Sequence, residues 1–376
     1  MQDKLKKIVL TGGGTAGHVF PLLAVAEQLQ KQGGFSLVFY GSYSGLEAGL
    51  VKNFGLPYQR ILTGKFRRYL TLWNIWDLVK LIGGFFQSLW LLIYERPDLI
   101  FAKGGYVCLP VVLAGFILHI PIVSHESDVI LGFSNKIVEH IAKKLFYGFL
   151  LKYYSKINLK KAIYTGIPQR EDFLKFIVNP DLFKIRAANF FKFSPDLKTV
   201  LVFGGSQGAH KINQLILEIL PQVLDKYQLI HLCGKLDFDQ IAKEKRILPE
   251  KLQKRYFIAP FLQDEMILAY TLSNLVVCRA GANTLAEISS LHQAAVLIPL
   301  SSAAGNHQEK NAQIFKKENA AMVLYEDDLD SSMLLTEILK GIENMKLRNE
   351  ITDNLTKFAM PYSAKIVARE IGKLLK

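Results

Sequence analysis

Residues 8–29 read IVLTGGGTAGHVFPLLAVAEQL, and residues 199–220 read TVLVFGGSQGAHKINQLILEIL. Each run opens on a short apolar stretch, breaks on adjacent glycines, passes a histidine and continues with apolar residues at helical spacing. Strand, glycine turn and helix in that order begin a β-α-β unit. The recurrence in the second half predicts two halves built alike. Further strands are expected at SLVFYG (36–41), DLIFA (98–102) and PIVSHE (121–126), and again at LIHLC (229–233), YFIA (256–259), LVVC (275–278) and AVLI (295–298). The fold class expected is therefore α/β, with two Rossmann-like domains over 1–165 and 166–355. No low-complexity tether separates them, so the YTGIPQRED stretch (164–172) reads as a hinge. The amphipathic segment 361–376 reads as a final helix that completes the first domain.

The composition narrows the function classes. Half of the 376 residues are hydrophobic, and the net charge is 46 − 33 = +13, which points to an anionic partner such as a phosphorylated metabolite, an acidic membrane surface or nucleic acid. Cys108, Cys233 and Cys278 lie far apart in apolar surroundings, without metal-ligand or redox spacing, and read as reduced core residues of a cytosolic protein. The N-terminus leads into a strand without a signal-peptide pattern. Asp77, Lys80 and Gln87 interrupt the apolar stretch 72–93, so a bilayer-spanning helix is not expected.

Glycines between a strand and a helix allow close backbone approach, and the helix N-terminus beyond them attracts phosphate. A β-α turn favours glycine whatever it binds, so the argument rests on two such loops in matching positions. Neither is a P-loop. The strand after the first loop ends in GSYSGLE without an acidic residue in the dinucleotide position, which argues against a nicotinamide enzyme. A third loop, CRAGANTLAEIS (278–289), starts a helix with Glu287 one turn in, where a carboxylate can accept two hydrogen bonds from a ribose diol or merely favour the helix dipole. Asn306, His307, Gln308 and Asn311 follow in a polar cluster.

Five segments, GGGTAGHVFP, HESDVILGFSNK, GGSQGAHKIN, CRAGANTLAEI and NHQEKNA, occur in an order that resembles the MurG family of N-acetylglucosaminyltransferases and span nearly the whole chain. The resemblance implies a GT-B fold whose two domains face a cleft. It implies inverting transfer of GlcNAc from UDP-GlcNAc to the C4 hydroxyl of the muramoyl sugar of lipid I, giving lipid II for peptidoglycan. On the same basis His18 is the candidate general base. The donor-binding candidates are Thr15, Ala16, Gly17, Asp128, Arg170, Ser206, Leu262, Ala282, Asn283, Thr284, Leu285, Ala286, Glu287 and Gln308. The first domain would serve acceptor and membrane, the second the donor. No tightly bound cofactor or metal is implied, and other cell-wall synthesis proteins are implied partners. The chain departs from the family's commoner wording at TAG, at ANTLAE and at Gln169. Asp128 stands where many members have Asn.

Such a reaction needs a base for the acceptor hydroxyl, an in-line anomeric carbon and stabilisation of departing UDP. Gly12 to Gly14 are expected to clear space for substrates, with His18 beside them as base or simply as a helix cap that contacts the donor. The DFD run at 237–239 imitates a metal motif of another glycosyltransferase fold and reads as solvated surface. Residues 64–94 hold all three tryptophans. Trp73, Trp76, Val79, Ile82 and Phe86 on an apolar face, with Lys65, Arg67 and Arg68 beside it, have the composition of an interfacial segment that docks on the anionic cytoplasmic leaflet of a bacterial membrane. A buried helix pair would look similar. Three other readings compete: a transferase acting on diacylglycerol, a sugar-nucleotide epimerase using Glu126 and Asp128, and a basic nucleic-acid binder. The last lacks aromatics interleaved with basic residues on a platform.

Overall fold

The computed structural model describes residues 5–64, 72–205 and 208–375, with the backbone only at 72–75 and 304. The chain divides into two compact units, Met1–Arg170 with Met360–Lys376, and Glu171–Ala359.

The first unit is built on seven strands: β1 (Lys6–Thr11), β2 (Phe35–Ser42), β3 (Tyr58–Ile61), β4 (Leu99–Ala102), β5 (Ile122–Glu126), β6 (Lys144–Tyr147) and β7 (Ala162–Tyr164). They lie in the order β3-β2-β1-β4-β5-β6-β7, with every described pairing parallel. Such strands are covered on both faces, which is why they read as apolar runs rather than alternating ones. Helix Ala16–Gln32 lays Val19, Leu22, Val25, Ala26 and Leu29 on one face of the sheet. Helix Ser363–Leu374 brings Ala364, Val367, Ala368 and Ile371 back to the same cluster.

The second unit repeats the plan with β8 (Thr199–Phe203), β9 (Gln228–Leu232), β10 (Tyr256–Ala259), β11 (Ser273–Cys278), β12 (Ala295–Leu297) and β13 (Met322–Val323), ordered β10-β9-β8-β11-β12-β13. In each sheet the strand order reverses beside the first strand, between β1 and β4 and between β8 and β11. Ligands of open parallel sheets bind at such switch points, beyond the carboxyl ends of the strands. The loops after β1, β4, β8 and β11 therefore carry the chemistry. The three cysteines are buried free thiols.

Helix Leu72–Glu95 packs Phe85, Leu89 and Leu92 on the core beneath β1 and β4, alongside helix Leu109–Ile117. Gly84 lets the helix pass close to the chain after β3, since a Cβ there would overlap Leu62 O and stand 2.9 Å from Leu62 C. Its other face is exposed: Trp76 61 %, Phe86 61 % and Trp90 66 %, with Val79, Ile82 and Ile93 between them. Trp73 lies in the first turn. Lys65, Arg67 and Arg68 fall outside the described residues. Despite Asp77 and Lys80, the stretch Trp76–Glu95 is long and apolar enough to cross a bilayer, with a mean hydropathy of 1.3.

Candidate functional site

The first glycine loop is occupied by the protein's own side chains, which overturns the expectation that Gly12 to Gly14 clear room for substrates. A Cβ on Gly12 would meet Leu22 Cδ1 at 2.9 Å, one on Gly13 would meet Glu47 Cδ at 2.7 Å, and one on Gly14, at φ +85°, would meet Tyr106 Cε1 at 2.8 Å. Glu47 is the organising group. Its carboxylate is fully buried and accepts hydrogen bonds from Ser42 N (3.1 Å), Ser42 Oγ and Gly14 N (3.3 Å).

The loop so fixed orients His18. Nδ1 lies 3.1 Å from Gly13 O and 3.1 Å from Thr15 Oγ1. A carbonyl oxygen can only accept, so Nδ1 carries the proton and Nε2 keeps the lone pair, the tautomer a general base needs. The ring is half-buried in the first turn of helix Ala16–Gln32, whose N-cap is Thr15. Thr15 and Gly17 are exposed and Ala16 is half-buried. Glu47→Ala leaves three donors without an acceptor and is expected to destabilise the first unit by about 2–4 kcal/mol. Thermal unfolding checks this, and turnover should fall with it because the carbonyl that orients His18 loses its anchor.

Across the switch point, Lys103 follows β4 and extends through the interior to donate to Ser127 Oγ at 2.7 Å. Burial lowers its pKa to about 8, against the opposing pull of Glu126 and Asp128. Glu126, also buried, accepts from Asp128 N (3.0 Å), Gly132 N (2.8 Å) and Asn135 Nδ2 (3.0 Å). Burial and the neighbouring Asp128 raise its pKa. Asp128 is half-buried. Arg170 stands 5.7 Å from the centroid of the Phe20 ring.

In the second unit a Cβ on Gly204 would overlap Ala209 and one on Gly208 would meet Cys233 O at 2.5 Å, but two other loop glycines remain open. A Cβ on Gly205, at φ +92°, or on Gly281 would meet nothing within 4 Å. Gly281 is the N-cap of helix Ala282–Ser290. The amides of Ala282, Asn283 and Thr284 open its first turn, where the positive end of the helix dipole lies. Leu285 is buried and its amide donates to Gly281 O at 3.0 Å; the side chains of Ala282 and Ala286 are buried as well. Glu287 is half-buried and accepts from Tyr270 OH at 2.9 Å. Gln308 Oε1 accepts from Leu300 N at 3.0 Å, and Leu262 is half-buried after β10. Ser206 lies outside the described residues.

Arg279, to which the sequence pattern assigns no role, fastens these loops together. Its guanidinium donates to Ile298 O (3.2 Å) and Pro299 O (3.4 Å) and meets Glu326 at 2.5 Å, with both side chains almost buried. Glu326 also accepts from Ser301 N at 3.4 Å. The ends of β11, β12 and β13 are thus held at one point. Asp237 corrects a second expectation: it is not solvated but bridges His210 Nδ1 (2.9 Å) and Asn213 Nδ2 (2.6 Å) at the start of helix His210–Lys226. Among the described residues no three His, Cys, Asp or Glu side chains are grouped to hold a metal ion.

Paired switch-point loops of this kind, a proton acceptor in one unit and an open helix N-terminus with a carboxylate one turn in, define a sugar-nucleotide transferase of GT-B type. Residues 8–147 match the glycosyltransferase family 28 N-terminal domain, and residues 199–365 match its C-terminal domain. A UDP-N-acetylglucosamine–N-acetylmuramyl-(pentapeptide) pyrophosphoryl-undecaprenol N-acetylglucosamine transferase of Lachnospira eligens is 39 % identical over 89 % of this chain and 91 % of its own. One of the same name from Clostridium perfringens is 40 % identical over 89 % and 90 %. The crystal structure of Acinetobacter baumannii MurG superposes with a TM-score of 0.73 at 26 % identity, covering 98 % of this chain and 99 % of that one. The chain belongs to the MurG family of N-acetylglucosaminyltransferases.

Proposed function

We propose that this chain moves GlcNAc from UDP-GlcNAc to the C4 hydroxyl of MurNAc in undecaprenyl-diphospho-MurNAc-pentapeptide, lipid I, giving lipid II with inversion at the anomeric carbon. One observation carries the reading. Motif residues from distant parts of the sequence gather at the switch points of both sheets, in a chain that aligns over nine-tenths of its length with transferases of that name.

The chemistry follows from the residues. His18 Nε2 takes the proton of the C4 hydroxyl as that oxygen attacks C1 of GlcNAc from the face opposite UDP. The bond between C1 and the diphosphate oxygen breaks, and its electron pair leaves with UDP. The new charge on the diphosphate is met by the amides that open helix Ala282–Ser290 and by Arg170. Glu287 would take the ribose diol, with Tyr270 OH fixing its carboxylate. Thr15, Ala16, Gly17, Asp128, Ser206, Leu262 and Gln308 complete the donor set. The first unit, with helix Ser363–Leu374, serves acceptor and membrane, and the second serves the donor. Labelled sugar should pass from UDP-GlcNAc to a lipid I analogue in preference to UDP-glucose as donor or diacylglycerol as acceptor. Transfer to diacylglycerol instead would replace this reading by the related one.

The acceptor is a polyprenyl lipid, and the exposed face of helix Leu72–Glu95 fits docking on the anionic cytoplasmic leaflet as a peripheral protein. Flotation with phosphatidylglycerol vesicles at low salt should carry the protein upward. Trp76→Glu with Phe86→Glu should weaken partitioning at least tenfold, given about 1.5–3 kcal/mol per large apolar side chain buried. An unchanged bound fraction would assign that face to something other than lipid.

A further inference from the structure

Lys103 is 2 % exposed, and its ammonium donates to the hydroxyl of Ser127. An ammonium so placed costs more than an apolar side chain of the same length, so stability does not explain it. Its surroundings do. Glu126 ends β5 and Asp128 follows two residues on, its charge opposing that of Glu126. Lys103 pulls in the opposite direction on Glu126 and is acted on by both carboxylates. The remaining titratable groups of the neighbourhood carry no compensating charge. His125 is buried, donates from Nε2 to Gly166 O at 2.8 Å and is held neutral by burial and by Lys103 itself. Tyr147 and Tyr154 stay protonated, driven upward by burial, with Glu139 and Glu126 adding at Tyr147 and Glu126 and Asp128 at Tyr154.

We propose that Lys103 is a positioning residue for sugar transfer: its buried ammonium, fixed on Ser127 between Glu126 and Asp128, is the counter-charge of that acidic turn and holds residues 126–132 in the shape that meets a hydroxyl-rich substrate. The inference rests on the transferase reading above. Glu126 shapes the turn through the amides of Asp128 and Gly132, and Asp128 is half-buried in that turn. Removing the positive charge while both acids remain leaves the buried Glu126 carboxylate without its counter-charge and loosens the turn it holds through the amides of Asp128 and Gly132.

The test is kcat/KM across pH 6–9.5 for wild type, Lys103→Met and the double variant Lys103→Met with Asp128→Asn, with unfolding temperatures measured alongside. Lys103→Met should unfold earlier than wild type and, assayed well below its unfolding temperature, lose about 10- to 100-fold in kcat/KM, the worth of a hydrogen-bonded charge. The double variant, with the charge balance restored and the amide oxygen introduced by Asp128→Asn still able to accept from a substrate hydroxyl, should recover most of that loss. Wild type should lose activity as pH rises through about 8, where Lys103 gives up its proton, and Lys103→Met should lack that limb. Wild-type rates and pH profile in Lys103→Met, or a double variant no better than the single one, would overturn the proposal. Should Lys103→Met fail to fold, the wild-type alkaline limb alone decides: its absence overturns the proposal. A wild type that transfers nothing from UDP-GlcNAc defeats the transferase reading instead.

Discussion

His18→Ala is expected to lower kcat by about 10²–10⁴-fold, the usual share of a positioned general base, while the KM for UDP-GlcNAc moves far less. The expectation comes from the tautomer. Gly13 O fixes the proton on Nδ1, which leaves Nε2 as the nitrogen that can accept one. His18→Asn separates the two roles of the ring, because an amide can still donate to Gly13 O but cannot act as base. It should retain the fold and remain as slow as the alanine variant. Steady-state kinetics with varied donor at saturating acceptor reads both parameters. A histidine that only contacts the donor would raise KM and spare kcat.

Arg279→Ala should have the largest effect on stability. It leaves the Glu326 carboxylate without its cation and frees the carbonyls of Ile298 and Pro299, and removing one partner of a buried pair costs about 3–5 kcal/mol. In a unit of this size that lowers the unfolding temperature by roughly 10 °C. Donor binding should weaken with it, since the loop after β12 leads to Gln308. The pair also makes an acid limb. Burial pushes the Glu326 carboxyl up, but Arg279, Ser301 N and Lys211 together bring it below its ordinary value of 4.5. With a folded pKa below the unfolded one, the stabilisation is complete above about pH 4.5 and is lost as pH falls through the depressed value. Calorimetry from pH 7 to pH 3 should show wild type and Arg279→Ala converging at the acid end.

Much of the fold was legible because buried parallel strands declare themselves as apolar runs, and glycine followed by a helix marks where each one turns. Alternation of polar and apolar residues is not needed to find β1 or β8: IVL and VLVF suffice when both faces are covered. The candidate site was legible only where it is contiguous, as at 15–18 and 281–287. The partner of the first glycine loop, Glu47, sits 33 residues from Gly14 and reaches it through the pairing of β2 with β1. Arg279 and Glu326 are 47 residues apart and meet because β12 lies between β11 and β13. Lys103 reads as an ordinary strand-end lysine until β4 is set beside β5. Local pattern reveals elements; charge pairs formed across a sheet emerge only once the strand order is known. The exposed apolar stripe of helix Leu72–Glu95 shows a related ambiguity. Its helical spacing is visible in the sequence, but only the fold shows that Phe85, Leu89 and Leu92 turn to the core while Phe86 stays outside.

The most direct measurement is the anomeric configuration of the product. Purified protein is incubated with UDP-GlcNAc and a soluble lipid I analogue, and the isolated disaccharide is examined by proton NMR at the anomeric carbon of the added sugar. Attack from the face opposite UDP, with His18 taking the C4 proton, predicts a β-1,4 GlcNAc–MurNAc linkage formed in step with UDP release. An α-linked product, or UDP release without a disaccharide, would contradict the account.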